Sequence, residues 1–117
     1  MPKTEEPEDR MKNAINSYAT VDRIEDGIVV LEIENIPTRL RDSLPVESEV
    51  PTYMATVSME EFRTQELEQY VHEGAVFCVI HDHEAEEVFY IMEYDSEQEQ
   101  RRRDYIASLE ADIDGGA

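Results

Sequence analysis

His81-Asp82-His83-Glu84 is the one run in this chain whose residue types resemble a metal site, and His72 lies near it in sequence. Imidazole and carboxylate donors suit zinc and similar ions. If His81 ends a strand, His81 and His83 share a face and Asp82 points away. The candidate ligands are therefore His81, His83 and Glu84, and the alternative to a metal-binding or enzymatic loop is a polar hairpin turn. The turn is the preferred reading, so no cofactor is expected. General acid–base catalysis needs two groups placed across a cleft with shifted pKa values, and 29 Asp and Glu single out no such pair. The chain shows no Ser/His/Asp signature and no phosphate-binding glycine loop, with four glycines in all. No catalytic residue is assigned, and the chain reads as non-enzymatic.

Three other features invite a functional reading. Cys78, the sole cysteine, lies in the apolar run Ala75-Val76-Phe77-Cys78-Val79-Ile80. Reactive thiols sit exposed in electropositive surroundings, so Cys78 is expected to be buried and inert. Arg101-Arg102-Arg103 resembles a basic patch, but Glu97 and Glu99 each stand four residues before an arginine, the spacing of helix ion pairs. Tyr90, Met92 and Tyr94 share a strand face with Val88, and Phe89 and Ile91 take the other. One face must cover the core. Tyr90, Met92 and Tyr94 are the candidate surface for a partner or a homodimer.

The net charge is −19, and residues 18–95, with 19 acids and four bases, carry −15 of it. The charge thus belongs to the folded part. Such a surface repels phosphate and argues against direct nucleic-acid binding. It favours solubility, a partner with a basic surface, or life in high salt. A sharper alternative is nucleic-acid mimicry, with carboxylates occupying a DNA-binding protein. Glu outnumbers Asp 20 to 9, which does not separate these readings. No apolar run approaches the roughly 18 residues of a membrane span, and Met1 to Asn13 lacks the apolar core of a signal peptide. A cytoplasmic location is the expectation.

The elements that would position these residues follow in order. Residues 1–14, proline-bearing and polar, are expected to be disordered, residues 15–113 to form one domain, and residues 114–117 to fray. Tyr18 to Ile33 is the clearest hairpin. A two-residue Asp-Gly loop would put Val21 opposite Glu32. A three-residue loop with left-handed Gly27 puts Val21 opposite Leu31 and Ala19 opposite Ile33, which gives a clean inner face. Arg23 then points inward. Leu40 and Leu44 share a face in a short turn between Pro37 and Pro45. Tyr53 to Val57 reads as a strand. Ser58 and Glu61 form a capping box, and Val57 with Phe62 a staple, for a helix from about Met59 to Val71. Ala75 to His81 is a strand buried on both faces, and Val88 to Tyr94 completes a second hairpin. Ser96, with Glu99, caps a helix to about Ile113 whose Tyr105, Ile106, Leu109 and Ile113 stripe is expected to pack on the sheet.

Val21-Asp22-Arg23-Ile24-Glu25, Leu44-Pro45, Glu73-Gly74-Ala75-Val76 and the Arg101–Leu109 helix together resemble a small bacterial family, number 3006 among domains of unknown function. The resemblance covers about half the chain in pieces, and between Pro45 and Glu73 the family has a short loop where this chain has a strand and a helix. It implies a small-barrel fold and no catalytic residues. The expected architecture is an α+β domain: a twisted antiparallel sheet or partly open barrel of about five strands, one inserted helix and one C-terminal helix. The expected function is a non-enzymatic protein-interaction or regulatory accessory module.

Overall fold

The computed structural model describes residues 12–115, with side chains placed as far as residue 111. Its elements are β1 (Ala14–Glu25), β2 (Ile28–Glu34), α1 (Thr38–Asp42), β3 (Thr52–Ser58), α2 (Met59–Thr64), a 3-10 turn (Glu68–Tyr70), β4 (Val76–Asp82), β5 (Glu87–Tyr94) and α3 (Ser96–Gly115). The five strands form one antiparallel sheet in the order β3-β2-β1-β4-β5. This is the expected α+β architecture, with the sheet left open. Residues 1–11, 116 and 117 of the segments expected to be disordered or frayed lie outside the described residues. Ala14 already pairs with Asp82 in the sheet, and helical backbone continues to Gly115.

The first hairpin reaches the expected register by a different route. Val21 does stand opposite Leu31, and Ala19 opposite Ile33. The loop, however, has two residues, because Glu25 pairs with Ile28. Asp26 and Gly27 have φ of 48° and 79°, the positive values that a type I′ turn requires at both central positions. A β-bulge at Asp22 absorbs the odd residue, since Val21 pairs with Leu31 and Arg23 with Val30. The bulge also resets the alternation. Arg23 therefore lies exposed and pairs with Asp22 at 2.9 Å and Glu25 at 3.0 Å, instead of pointing inward.

The sheet curls. In a flat sheet, β3 and β4 would lie three strand spacings apart, roughly 14 Å. Yet the Tyr53 hydroxyl reaches the ring of His81 at 2.7 Å across the concave face. That face holds the main core. Ala19, Val29, Leu31, Ile33, Phe77 and Val79 are fully buried there, and Phe62 meets Phe77 edge-on at 5.1 Å. The convex face carries a smaller cluster of Tyr18, Val76 and Cys78.

The inserted helix is shorter than its pattern predicts. Ser58 caps the start, but its Oγ accepts the N–H of Glu60 and not that of Glu61, so the expected Ser58–Glu61 box is replaced by a simple cap, while Val57 and Phe62 lie in one cluster as expected. The helix then stops at Thr64. Glu66 turns left-handed at φ 60°. Its N–H donates to the Arg63 carbonyl, and the Leu67 N–H donates to that of Phe62. These two bonds make a Schellman motif, built on glutamate where glycine is usual. The 3-10 turn carries the chain onward.

The C-terminal helix is capped by Asp95, one residue earlier than expected: its Oδ1 accepts the Gln98 N–H at 2.9 Å. Twenty residues span about 30 Å, against roughly 19 Å for a five-strand sheet. The expected packing stripe is only partly covered: Tyr105 is half-buried, while Ile106 is 55% and Leu109 43% exposed. Ile113's side chain lies outside the described residues. The short α1 buries Arg41 and leaves Leu40 exposed, reversing the amphipathic reading of that turn.

A left-handed conformation costs a non-glycine residue about 1–2 kcal/mol, while glycine carries an entropic cost of its own. Glu66→Gly should therefore stabilise the fold by about 1 kcal/mol in urea titration. A loss of stability would mean that the Glu66 side chain holds the turn.

Candidate functional site

The structure separates the residues expected to form a metal site. His81 is fully buried on the concave face. Its Nε2 lies 2.8 Å from Ser17 Oγ and its Nδ1 2.7 Å from the Tyr53 hydroxyl. The Ser17 hydroxyl donates to the Ile36 carbonyl at 2.6 Å. A hydroxyl has one proton, so Ser17 must accept from His81 Nε2–H; burial disfavours a second proton on the ring, which leaves Nδ1 to accept from the Tyr53 hydroxyl. The ring is therefore neutral, with its proton on Nε2. Burial pushes the imidazole pKa down to about 4, the nearby His83 charge adds to this, and Asp82 opposes it. Burial, followed by the charges of Glu86 and Asp82, pushes the Tyr53 phenol up to about 12, which keeps it a donor.

Both nitrogens of His81 are thus engaged, and it cannot join His83 and Glu84 as a ligand. The Ser17–His81 pair also runs the wrong way for nucleophilic catalysis. An activating imidazole accepts the serine proton, whereas this one donates to a sealed serine. His83 and Glu84 belong to the hairpin turn. The His83 N–H donates to the Asn13 carbonyl, and Glu84 Oε2 accepts from Asn13 Nδ2 at 3.0 Å. Asp82 accepts the N–H groups of Ala85 and Glu84, bonds that hold its carboxyl below the usual range. Among the described residues, no three His, Cys, Asp or Glu side chains converge as a metal site.

Two clusters of buried charge escaped the sequence reading. Glu34 Oε2 meets Arg41 Nε at 3.2 Å, and its Oε1 meets Arg102 Nη2 at 2.9 Å. Arg41 also donates to the carbonyls of Pro45 and Val46, which anchors the loop after α1. Arg102 donates to Thr20 and lies 5.5 Å over the Tyr18 ring. The Tyr18 hydroxyl donates to Asp42 at 2.7 Å, and burial together with Asp42 raises its pKa far above the ordinary phenol value. This cluster fastens α1 and α3 to the convex face. The second gathers on Glu99, which contacts His72 Nε2 at 3.0 Å, the Tyr94 hydroxyl at 3.0 Å and Arg103 at 2.8 Å. The expected Glu99–Arg103 helix pair forms within it. Cys78 is buried, as expected, and burial with the Asp95 and Glu93 charges pushes its thiol up to about 12.

The candidate partner face of Tyr90, Met92 and Tyr94 is divided. β5 carries two bulges, one between the Cys78–Glu93 and Val79–Ile91 pairs and one between Ile80–Tyr90 and His81–Val88. Each flips the alternation. Tyr94 therefore turns inward, stacked on Tyr70 at 4.8 Å and 5.5 Å from Phe77. Tyr90 and Met92 remain half exposed, at 53% and 51%.

The curl brings the two edge strands to the sides of a cleft of about 480 Å³, within the range of ligand sites. Val57 of β3 and Val88 of β5 contribute apolar walls, Glu61 and Glu86 stand at its sides, and none of the described residues lining it is basic. Sequence patterns could not place this cleft, because it joins strands that are far apart in the chain. Compared with known proteins, the chain matches no family model, no curated protein and no solved structure.

Two stability tests follow. His81 has a folded pKa of about 4 against about 6.5 unfolded. The unfolded chain therefore binds the extra proton between these values. The resulting stability is complete above pH 6.5 and is lost as the pH falls towards 4. His81 should cost about 2 kcal/mol between pH 7 and pH 5. His81→Gln, although less stable at pH 7, should have a urea-measured pH slope shallower by that amount. Equal slopes would place a charged imidazole in the fold. Glu34→Ala leaves two guanidiniums without their carboxylate and should cost about 3 kcal/mol. A change below about 1 kcal/mol would show that water or a neighbour replaces Glu34.

Proposed function

We propose that this protein is a non-enzymatic accessory module that acts by binding another protein along the open edge of its sheet. The observation carrying this reading is the contrast between the two edge strands. β5 has two bulges and the charged residues Glu87 and Glu93, the usual devices that blunt an edge. β3, Thr-Tyr-Met-Ala-Thr-Val-Ser, has no charge, no proline and a ladder without a register shift. Such an edge is a template for another strand. The buried polar groups Ser17, His81, Glu34, Arg41 and Glu99 are engaged in bonds that fasten elements of the fold. No helix among the described residues is long and apolar enough to cross a membrane.

Capture from a lysate of the source cells, quantified by mass spectrometry, tests the reading. The wild-type protein should retain a defined partner that Thr56→Pro does not, with the variant's thermal melt unchanged. Retention of the same proteins by both would rule out the β3 edge as the binding surface.

A further inference from the structure

We infer that the β3 edge takes up an extended, basic segment of a partner protein as an added strand. This rests on the interaction reading above and names the partner's chemistry. The direction of the backbone groups comes from the ends of the β2–β3 ladder. The Met59 N–H donates to the Gly27 carbonyl and the Asn35 N–H to the Pro51 carbonyl, and between them the register runs unbroken from Ile28–Ser58 to Glu34–Thr52. Hydrogen-bonded pairs alternate in an antiparallel ladder. Residues 51, 53, 55, 57 and 59 therefore bond towards β2. The N–H and C=O groups of Met54 and Thr56 point the other way, to the outer edge where β3 borders the cleft.

Charge selects the occupant. Glu61 and Glu86 flank the cleft, and the described residues lining it include no base. Lys or Arg on the incoming strand would meet these carboxylates, and alternate residues would face the apolar wall at Val57 and Val88. A second copy of this chain fits less well. Pairing β3 with β3 would bring together chains that each carry −19, whose charges repel. The expected ligand is an extended segment in which apolar residues alternate with Lys or Arg.

The test uses fluorescence anisotropy with the full chain and synthetic peptides of about eight residues, the length of β3 with its flanks. One peptide alternates Val with Arg, and one alternates Val with Glu. The Val/Arg peptide should bind at least about tenfold more tightly than the Val/Glu peptide. Thr56→Pro should weaken its binding at least tenfold, because it removes an outward N–H without touching the β2 ladder. Glu61→Lys should weaken it as well, and wild-type binding should fall as salt rises. Equal binding by wild type and Thr56→Pro, or no preference for the basic peptide, would overturn the proposal. Should Thr56→Pro fail to fold, Met54→Pro tests the same edge, and unfolding of both would show that these N–H groups serve the fold and would also overturn it. A dimer that Thr56→Pro abolishes and the peptide cannot displace would assign the edge to a second copy instead. If a cellular partner is lost with Thr56→Pro while the basic peptide does not bind, the interaction reading stands and the basic partner class is wrong.

Discussion

A sheet that curls without closing must leave two edges facing one another, and the rest of this structure is arranged around that constraint. The curl arises because the concave side is filled by side chains from one face of all five strands, with Phe62 dropped in from α2. Tyr53 and His81 bridge that side at 2.7 Å. Their bond orients the ring at the end of β4, and Ser17 passes the same chain of hydrogen bonds to the backbone at Ile36. A buried polar chain in which each donor has an acceptor costs little and specifies one arrangement. The same chain with one member missing would be destabilising, which is why a neutral His81 is central to the fold although it performs no chemistry.

The convex side is held differently. Its apolar cluster is small, so α1 and α3 are fastened by charge: Glu34 between Arg41 and Arg102, with Asp42 accepting from Tyr18. Ion pairs this deep rarely add much net stability over apolar packing, but they make misplacement costly. Here they determine where the C-terminal helix is anchored. Its first two turns are tied down, and the later Ile106 and Leu109 are left in solvent.

Much of the sheet was legible because its signals are local. Alternation gave the strands, and the demand for a clean inner face gave the register of Val21 with Leu31. That demand proved stronger than the turn chemistry: the loop was misjudged by one residue, and the bulge at Asp22 made up the difference. Bulges have no reliable sequence mark, so Arg23 and Tyr94 were assigned to the wrong faces. The end of α2 was hidden for a related reason. Its left-handed residue is Glu66, and a glutamate carries no stop signal. Arg41 and Glu34 carried no mark of burial in the sequence, because burial of a charge depends on a partner that sequence does not display. The cleft was least accessible of all, since it exists only once the curl sets β3 beside β5.

The acidity and the bare edge become related once both are placed on the structure. An uncharged, straight edge strand invites copies of the same chain to pair with it. Local charges on that strand would prevent this, and β3 has none. A net charge of −19 acts at longer range: like-charged chains repel before their edges can meet. The carboxylates beside the cleft act at contact distance on whatever does arrive. Charge spread over the domain can thus protect an edge while leaving its backbone open, and such protection discriminates by sign. It discourages another copy of this chain and admits a strand that carries the opposite charge.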